Sequence, residues 1–543
     1  MEHQLPENEE IDNCQSIEDE YNSFCFDNNL TTDYYEYEQG QKDIIVKGRL
    51  KANIHYWKQT LQANSYIIDV IENGYKIPFF SKPQPSILSN NHSALAERDF
   101  VCEAIQSLLQ RGLIEKCRDI PYVVNPLSVS VQSSGKKRLI LDLREVNRHI
   151  WKQTIKYEDL RIALSYIEKD YWMIKWDIHS AYHFIEVYYP HTEFLGFSWP
   201  DKDGVVCYYK FLVLAFGLRT APYLFSKVVR PLVSKWRGEG KKVIMYLDDG
   251  FGCGQGKQYM QSVSQDIKND LLLSGFVPKV DKSLWEPVQE MTWLGAVLNS
   301  VECVICIPQT RIDKLVSSVN DLLSLLQKKR YVHVRSVASV VGQLISMSIV
   351  IGSVSQIMTR NLSIDILKAR TWNSYIRLSN ESMNQLLFWK QSLSSINSRV
   401  FTEVYITSKM IFSDASSTGY GGYEVNTKNG VVHGMWTKEE RLCSSTWREL
   451  CAVQRTLKAL KSILANQRVK WFTDNKNICQ IVKKGSMKVD LQAMALDIFR
   501  FCSTNCIFVE IEWIPRLSNE RADYTCISKI VEKDDWGISL DIL

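Results

Sequence analysis

The stretch VIMYLDDGFG, residues 243–252, places two adjacent aspartates, Asp248 and Asp249, at the end of an apolar run. The run reads as a strand, Asp-Asp-Gly is favourable turn chemistry, and a glycine-rich segment follows. A β-hairpin with both acids at its tip is therefore expected. Unpaired neighbouring carboxylates raise each other's pKa. A hard divalent cation such as Mg²⁺ removes that penalty through oxygen ligands. Taken alone, the pair is as consistent with an ordinary acidic turn. Asp177 shifts the balance: in MIKWDIHSAY it again ends an apolar strand and precedes a turn. A third carboxylate on a neighbouring strand allows two metal ions about 3.5–4 Å apart, the arrangement that supports in-line phosphoryl displacement.

Working outward, the 543-residue chain is long enough for several domains, and its 45% apolar fraction can supply several cores. The net charge of +4 hides an asymmetry. Residues 1–44 hold 13 acids and one lysine, a net of −12, so the remainder carries +16. The first segment reads as a disordered, solubilising acidic tail, and the mildly basic body suits a polyanionic partner. The cysteines follow no disulfide rhythm. The one CxxC, Cys303 to Cys306, has no second pair or nearby His to complete a zinc site, and reads as small apolar residues in a strand of a reducing compartment. No apolar secretory segment opens the chain. The uncharged run 336–359 contains two glutamines and several serines and reads as a buried helix. The expected setting is intracellular, cytoplasm or nucleus, with no membrane partner.

Between the two acid units lies LAFGLRTAPYLFSKVV, a glycine-containing turn leading into a helix. Upstream, PLSVSVQ and KKRLILDL read as a hairpin whose Lys136, Lys137 and Arg138 can meet phosphates. Helical spacing is expected over 97–116 through Val101, Ile105, Leu108 and Leu109. A second amphipathic helix is expected over 311–330 through Ile312, Leu315, Val316, Val319, Leu322, Leu323 and Leu326. Residues 331–400 look mostly helical. Strands and helices then alternate over 404–530, which suggests a separate α/β domain.

The ordered set KKRLILDLREVN, WDIHSAYHFIEV, FGLRTAPYLF, YLDD and WLGAVL resembles the successive motifs of reverse transcriptases over about 75–400. The resemblance implies an α+β right-hand polymerase, with fingers and palm over 45–300 and a mostly helical thumb or connection over 301–403. It implies that Asp177, Asp248 and Asp249 are the catalytic, metal-binding acids. Arg138, with Lys137 as its lysine partner, would grip the triphosphate, and Tyr182 would screen against a ribose 2′-OH. Phe216 and Gly217 would line the incoming nucleotide, and Trp293, Leu294 and Gly295 would hold the primer end. Retroviral members carry a Gln where this chain has Phe216.

A second set of acids lies further on. Asp414 ends MIFSD, Glu449 sits on the helix STWREL, Asp474 ends VKWFTD, and Asp523 lies in SNERAD, where Ser518 or Asn519 could cap the last helix. In this order and spacing they resemble the Asp-Glu-Asp-Asp set of ribonuclease H, over 404–530, with 531–543 as a C-terminal tail. The resemblance implies catalytic and metal roles for all four acids. Many members carry a mobile His before the last Asp; WIPRLSNERAD has none and offers Arg516 instead. SDASSTGYGGY, TDNKN, WIPRLSNERAD and EKDDWGIS resemble DIRS-like retrotransposons, of the tyrosine-recombinase group.

These resemblances imply an RNA-directed DNA polymerase with ribonuclease H activity. Two Mg²⁺ per site would be its cofactors, with Mn²⁺ as an alternative. RNA template, DNA primer, RNA–DNA hybrid and dNTPs would be its partners, along with a recombinase encoded by the same element. The alternative is a decayed or domesticated retroelement protein that binds nucleic acid without catalysis. A palm-type RNA polymerase fits Tyr182 and the second acid set less well.

Overall fold

In the computed structural model, which describes residues 44–131, 135, 137–401, 407–427 and 430–527, the chain divides between Ile305 and Cys306 into two units. The acidic segment 1–43, Lys136 and the tail 531–543 lie outside the described residues.

The first unit contains, in order, β1 (Ser86–Ile87), α1 (Arg98–Gln110), β2 (Ile114–Lys116) and β3 (Val123–Asn125). The expected helix over 97–116 is shorter than its periodicity suggests. Gly112 takes the left-handed conformation (φ 65°) that closes a helix C-terminus, and the chain then turns extended into β2. Val101, Ile105 and Leu108 face the core as expected, whereas Leu109 is exposed. The expected hairpin forms from β4 (Leu127–Val131) and β5 (Lys137–Leu141), with Ser130 opposite Arg138.

Next come β6 (Trp172–Asp177), β7 (Gly196–Pro200), β8 (Val206–Phe211) and α2 (Ala221–Gly238), then β9 (Lys242–Tyr246), β10 (Asp249–Gly254) and α3 (Lys257–Ser274). β11 (Leu284–Val288), β12 (Glu290–Trp293) and β13 (Ala296–Asn299) follow. They build a five-stranded sheet in the order β1-β3-β7-β8-β2 and a four-stranded sheet in the order β11-β6-β10-β9. α2 starts with Pro222 in its first turn and buries Leu224, Phe225, Val228, Leu232 and Trp236 at helical spacing. Trp236 meets Trp176 of β6 edge-on, ring centroids 5.6 Å apart. Truncating a buried aromatic of this kind costs about 3–5 kcal/mol. The contact therefore fixes the strand on which Asp177 sits.

In the second unit α4 (Gln309–Lys328) buries Ile312, Leu315, Val319, Leu322 and Leu323; Val316 and Leu326 are half-buried. The uncharged run 336–359 is not one helix. It breaks into α5 (Val334–Ser346), α6 (Ser348–Ile351) and α7 (Val354–Ile357), and Gly352 (φ 77°) supplies the bend between the last two. Among the described residues no helix is long and apolar enough to cross a membrane. α8 (Arg360–Leu367) and α9 (Asn380–Ser392) complete the helical part.

The remainder alternates: β14 (Lys409–Ala415), β15 (Gly419–Glu424), β16 (Val431–Met435), α10 (Ser445–Ala459), β17 (Arg468–Thr473), α11 (Lys476–Lys484), α12 (Val489–Thr504), β18 (Phe508–Trp513) and α13 (Glu520–Ile527). Its sheet runs β16-β15-β14-β17-β18, antiparallel on the first side of β14 and parallel on the other. The helical and α/β parts are joined through Ile357, whose carbonyl accepts from buried Gln385 (3.3 Å) and Gln492 (3.1 Å).

Candidate active sites and metal centres

Asp177 and Asp249 are cross-strand partners where β6 pairs with β10. Asp249 also opposes Tyr246, so the connection from β9 to β10 is the two residues Leu247 and Asp248. Asp248 is thus the acid in the turn, and Asp249 is the first paired residue of the strand. The glycine-rich GFGCG, expected after the tip, is the second strand itself. Gly250 is required there because a Cβ would lie 1.9 Å from Trp176 Cε2. Leu247 adopts φ 54°, a conformation a branched side chain rarely takes and one that tends to persist at functional sites.

Asp177 and Asp248 are both buried. Burial, followed by the charges of Asp249 and Asp177, pushes the Asp248 carboxyl well above its ordinary range, and Lys279 pulls against that rise. Lys279 is a residue that sequence reasoning missed. Its ammonium lies 2.9 Å from Asp177 Oδ1, nearly inaccessible, and its backbone N–H donates to Asp177 O at 2.8 Å. It lies in a connecting segment, FVPKVDK, with no periodic pattern to mark it. Two histidines lie close by in the chain, His183 buried and His179 half-buried. Burial lowers His179 to about 4 and takes His183 well below the usual imidazole range, so both are neutral at pH 7.

Tyr182 and Phe216 meet, with ring centroids 5.0 Å apart, and Tyr182 is buried. Gly217 has φ 99°, and a Cβ there would lie 2.6 Å from Leu141 O at the end of β5. Arg138 is buried within β5, and Lys137 pairs with Glu97 at 2.5 Å. Trp293, Leu294 and Gly295 make the β12–β13 turn, with left-handed φ at Leu294 (43°) and Gly295 (72°). The Trp293 ring packs on Phe251 of β10 at 5.0 Å. The primer-end candidates therefore rest on the strand that begins with Asp249.

In the second unit Asp414 lies near the end of β14, Glu449 on the first turns of α10, and Asp474 just past β17. Their ligand oxygens all lie within 4.8 Å of one another, the one such group of three or more His, Cys, Asp or Glu found among the described residues. Burial, Asp414 and Asp474 push the Glu449 carboxyl up to about 9, and a hydrogen bond with Asp414 adds to the rise. The parallel register of β14 and β17 brings two strand ends to one sheet edge, and α10 delivers the third acid across it. Asp523 falls within α13, but its side chain lies outside the described residues. Asn519, just before α13, is buried and donates its side-chain amide to Ser413 O (3.3 Å). Cys303 sits in a turn with φ 55° and Cys306 ends a short strand; both thiols are free and half-exposed.

Residues 129–298 match the family described as reverse transcriptase (RNA-dependent DNA polymerase). Among curated relatives, the Pol polyprotein of equine infectious anemia virus (isolate 1369) is 29% identical over 203 residues, 36% of this chain and 17% of that protein. The retrovirus-related Pol polyprotein from transposon 297 of Drosophila melanogaster is 25% identical over 219 residues, 38% of this chain and 19% of that one. The chain thus spans about a fifth of the length of these relatives, or less. Among solved structures, the foamy viral protease-reverse transcriptase in complex with RNA/DNA hybrid superposes with a TM-score of 0.50 at 14% identity, covering 94% of this chain and 67% of that one. The fold is that of a right-hand polymerase, followed here by an α/β domain.

Proposed function

We propose that this chain is an RNA-directed DNA polymerase that also hydrolyses the RNA strand of the hybrid it makes, as part of a DIRS-like retroelement. The observation that carries the reading is the register that sets Asp249 opposite Asp177 with Asp248 in the adjoining turn, inside the segment that matches the reverse transcriptase family.

The donor set fits a divalent metal: three carboxylates where β6 meets the β9–β10 turn, one of them pushed by burial and then by its neighbours toward the protonated form. When bound, two Mg²⁺ would activate the attacking primer oxygen and stabilise the leaving pyrophosphate. Asp177 and Asp248 would hold them directly, with Asp249 supporting, and Mn²⁺ would fit the same oxygen donors. Tyr182, braced by Phe216, would form the wall that excludes a ribose 2′-OH and so selects dNTPs. Arg138 would bind the triphosphate, and Lys137 would exchange Glu97 for phosphate. Trp293, Leu294 and Gly295 would fix the primer end through Phe251.

In the second unit Asp414, Glu449 and Asp474, joined by Asp523, would hold two further ions for hydrolysis. The proximity of three acid oxygens and the strong rise at Glu449 support that reading. The partners would be an RNA template, a DNA primer and the RNA–DNA hybrid, in the cytoplasm or nucleus, with a recombinase supplied by the same element.

The test is primer extension on a primed RNA template with dNTPs and Mg²⁺, comparing wild type with Asp248→Asn. Extension by the wild type and its loss in the variant are expected. Equal behaviour of the two, including no extension by either, overturns the assignment.

A further inference from the structure

Two surface segments of the first unit run side by side. Phe79 and Ile150 form an antiparallel bridge, Phe80 N–H donates to His149 O (3.0 Å), and Trp151 N–H donates to Pro78 O (3.1 Å). Extended backbone alternates its side chains. Ile150 is buried and Phe79 packs against Phe194 (4.7 Å), so the neighbouring rings turn outward. Phe80 is 53% and Trp151 61% exposed. Their centroids lie 5.5 Å apart, and Phe80 also stacks on His149 at 6.5 Å and 29°. The His149 ring is held by Ser81 Oγ, 2.9 Å from Nδ1. Three rings thus form one fixed surface that water covers at a cost.

The charge around this surface is of one predominant sign. Lys82 and Lys152 follow the two outward rings within two residues, Arg148 precedes His149, and all three are exposed. The nearby acid is Glu145, 2.5 Å from Arg148 and 3.9 Å from His149. The platform is also tied to the proposed nucleotide wall. Asn147 donates its side-chain amide to Gly217 O (2.8 Å) and accepts from Arg219 N–H (2.9 Å), and the Arg219 guanidinium donates to Asn147 O (3.3 Å) and Ile150 O (3.5 Å).

Exposed aromatic faces interleaved with cations are the chemistry that takes unpaired bases: rings stack on bases of any sequence and the cations meet phosphates. We infer that Phe80, His149 and Trp151, with Lys82, Arg148 and Lys152, form a stacking platform for the single-stranded RNA template before it pairs with incoming nucleotides. This inference rests on the polymerase reading for the identity of the strand, but not for the binding itself.

The test is fluorescence anisotropy of the full chain, in EDTA and without dNTPs. The probes are a blunt primer–template duplex and the same duplex with a 5′ single-stranded template overhang, made once in RNA and once in DNA. Phe80→Ala/Trp151→Ala should bind both overhang probes about tenfold or more weakly, bind the blunt duplex as wild type does, and keep the wild-type Tm. Trp151→Phe should recover most of the loss. Equal overhang affinity in wild type and double variant overturns the platform, as does an equal loss on the blunt duplex. A concentration-dependent dimer that the double variant dissolves, with overhang binding unchanged, overturns it in favour of a second copy of the chain. Because no metal is present, the outcome is independent of turnover. A wild type that fails to extend primers but shows the overhang effect counts against the polymerase reading alone.

Discussion

In both units acids crowd together, but in the first a buried lysine sits among them. Lys279 places an ammonium 2.9 Å from Asp177 and pulls the neighbouring Asp248 back toward its ionised form. At the Asp414–Glu449–Asp474 cluster Arg448 pulls in the same direction, but burial and the two aspartates push harder, and Glu449 rises to about 9. Both clusters concentrate negative charge where desolvation is costly. Each holds one carboxyl well above its ordinary range, Asp248 in the first and Glu449 in the second, and the first adds a built-in lysine at ion-pair distance. The difference teaches that similar acid sets can start from different states before any metal arrives, and that their responses to substitution, metal and pH should diverge.

The largest expected effects remove a carboxylate outright. Loss of a direct metal ligand removes several kcal/mol of transition-state stabilisation, so Asp248→Asn should slow primer extension roughly a thousandfold. Asp249→Asn, changing the supporting acid, should slow it less. The reverse ranking in single-turnover extension would break the division of labour within the first cluster. Asp474→Asn should abolish metal-dependent cleavage of the RNA strand of a hybrid while leaving extension intact. A hybrid cleaved at the wild-type rate by that variant would remove the second cluster from hydrolysis.

Much of this contrast could be read from the chain itself, but unevenly. The largely apolar runs before Asp177, Asp248, Asp414 and Asp474 marked strand ends; the one before Asp474, RVKWFT, shows the alternating burial of a half-buried strand. The turn signal at 247–250 was legible, though its boundary was not. Asp249 proved to be a paired strand residue, because Gly250 had to admit the Trp176 ring and the glycines therefore belonged to β10. Local periodicity overran at 97–116, where a single left-handed glycine decided the end, and at 336–359, where the helix stops at Ser346 and Gly352 bends the chain again. Lys279 was illegible. Its role comes from a tertiary approach between a loop and a strand about a hundred residues earlier, and no local pattern encodes that. The outward Phe80 and Trp151 were missed for the same reason, since only the pairing of two distant segments makes them one surface.

A moderate effect is expected at Lys279. Lys279→Met keeps the length of the side chain and removes its charge, leaving Asp177 without its ammonium. The metal-free protein should lose several degrees of Tm, as expected when one partner of a buried pair is removed. The Tm gain on adding Mg²⁺ should grow, because the ion no longer competes with a resident cation. An unchanged Mg²⁺ response would mean that Lys279 merely packs, and the contrast between the two clusters would collapse on that side.

The smallest effect, and the most direct on the other side, is the pH dependence at Glu449. Its folded-state carboxyl titrates at about 9 against an ordinary 4.5. Below the ordinary value both folded and unfolded chains hold the proton, so folding is indifferent to pH there. Between the two values the unfolded chain releases the proton while the folded one retains it, so stability falls as pH rises through that window. Glu449→Gln carries a permanent neutral amide and removes this slope. In EDTA the variant should lose less Tm than wild type between pH 6 and pH 8.5, by a few degrees. With Mg²⁺ the order should reverse at the alkaline end, since ionised Glu449 becomes a ligand that the amide replaces poorly. Identical slopes in EDTA would show that a proton held on Glu449 is not what relieves the second cluster.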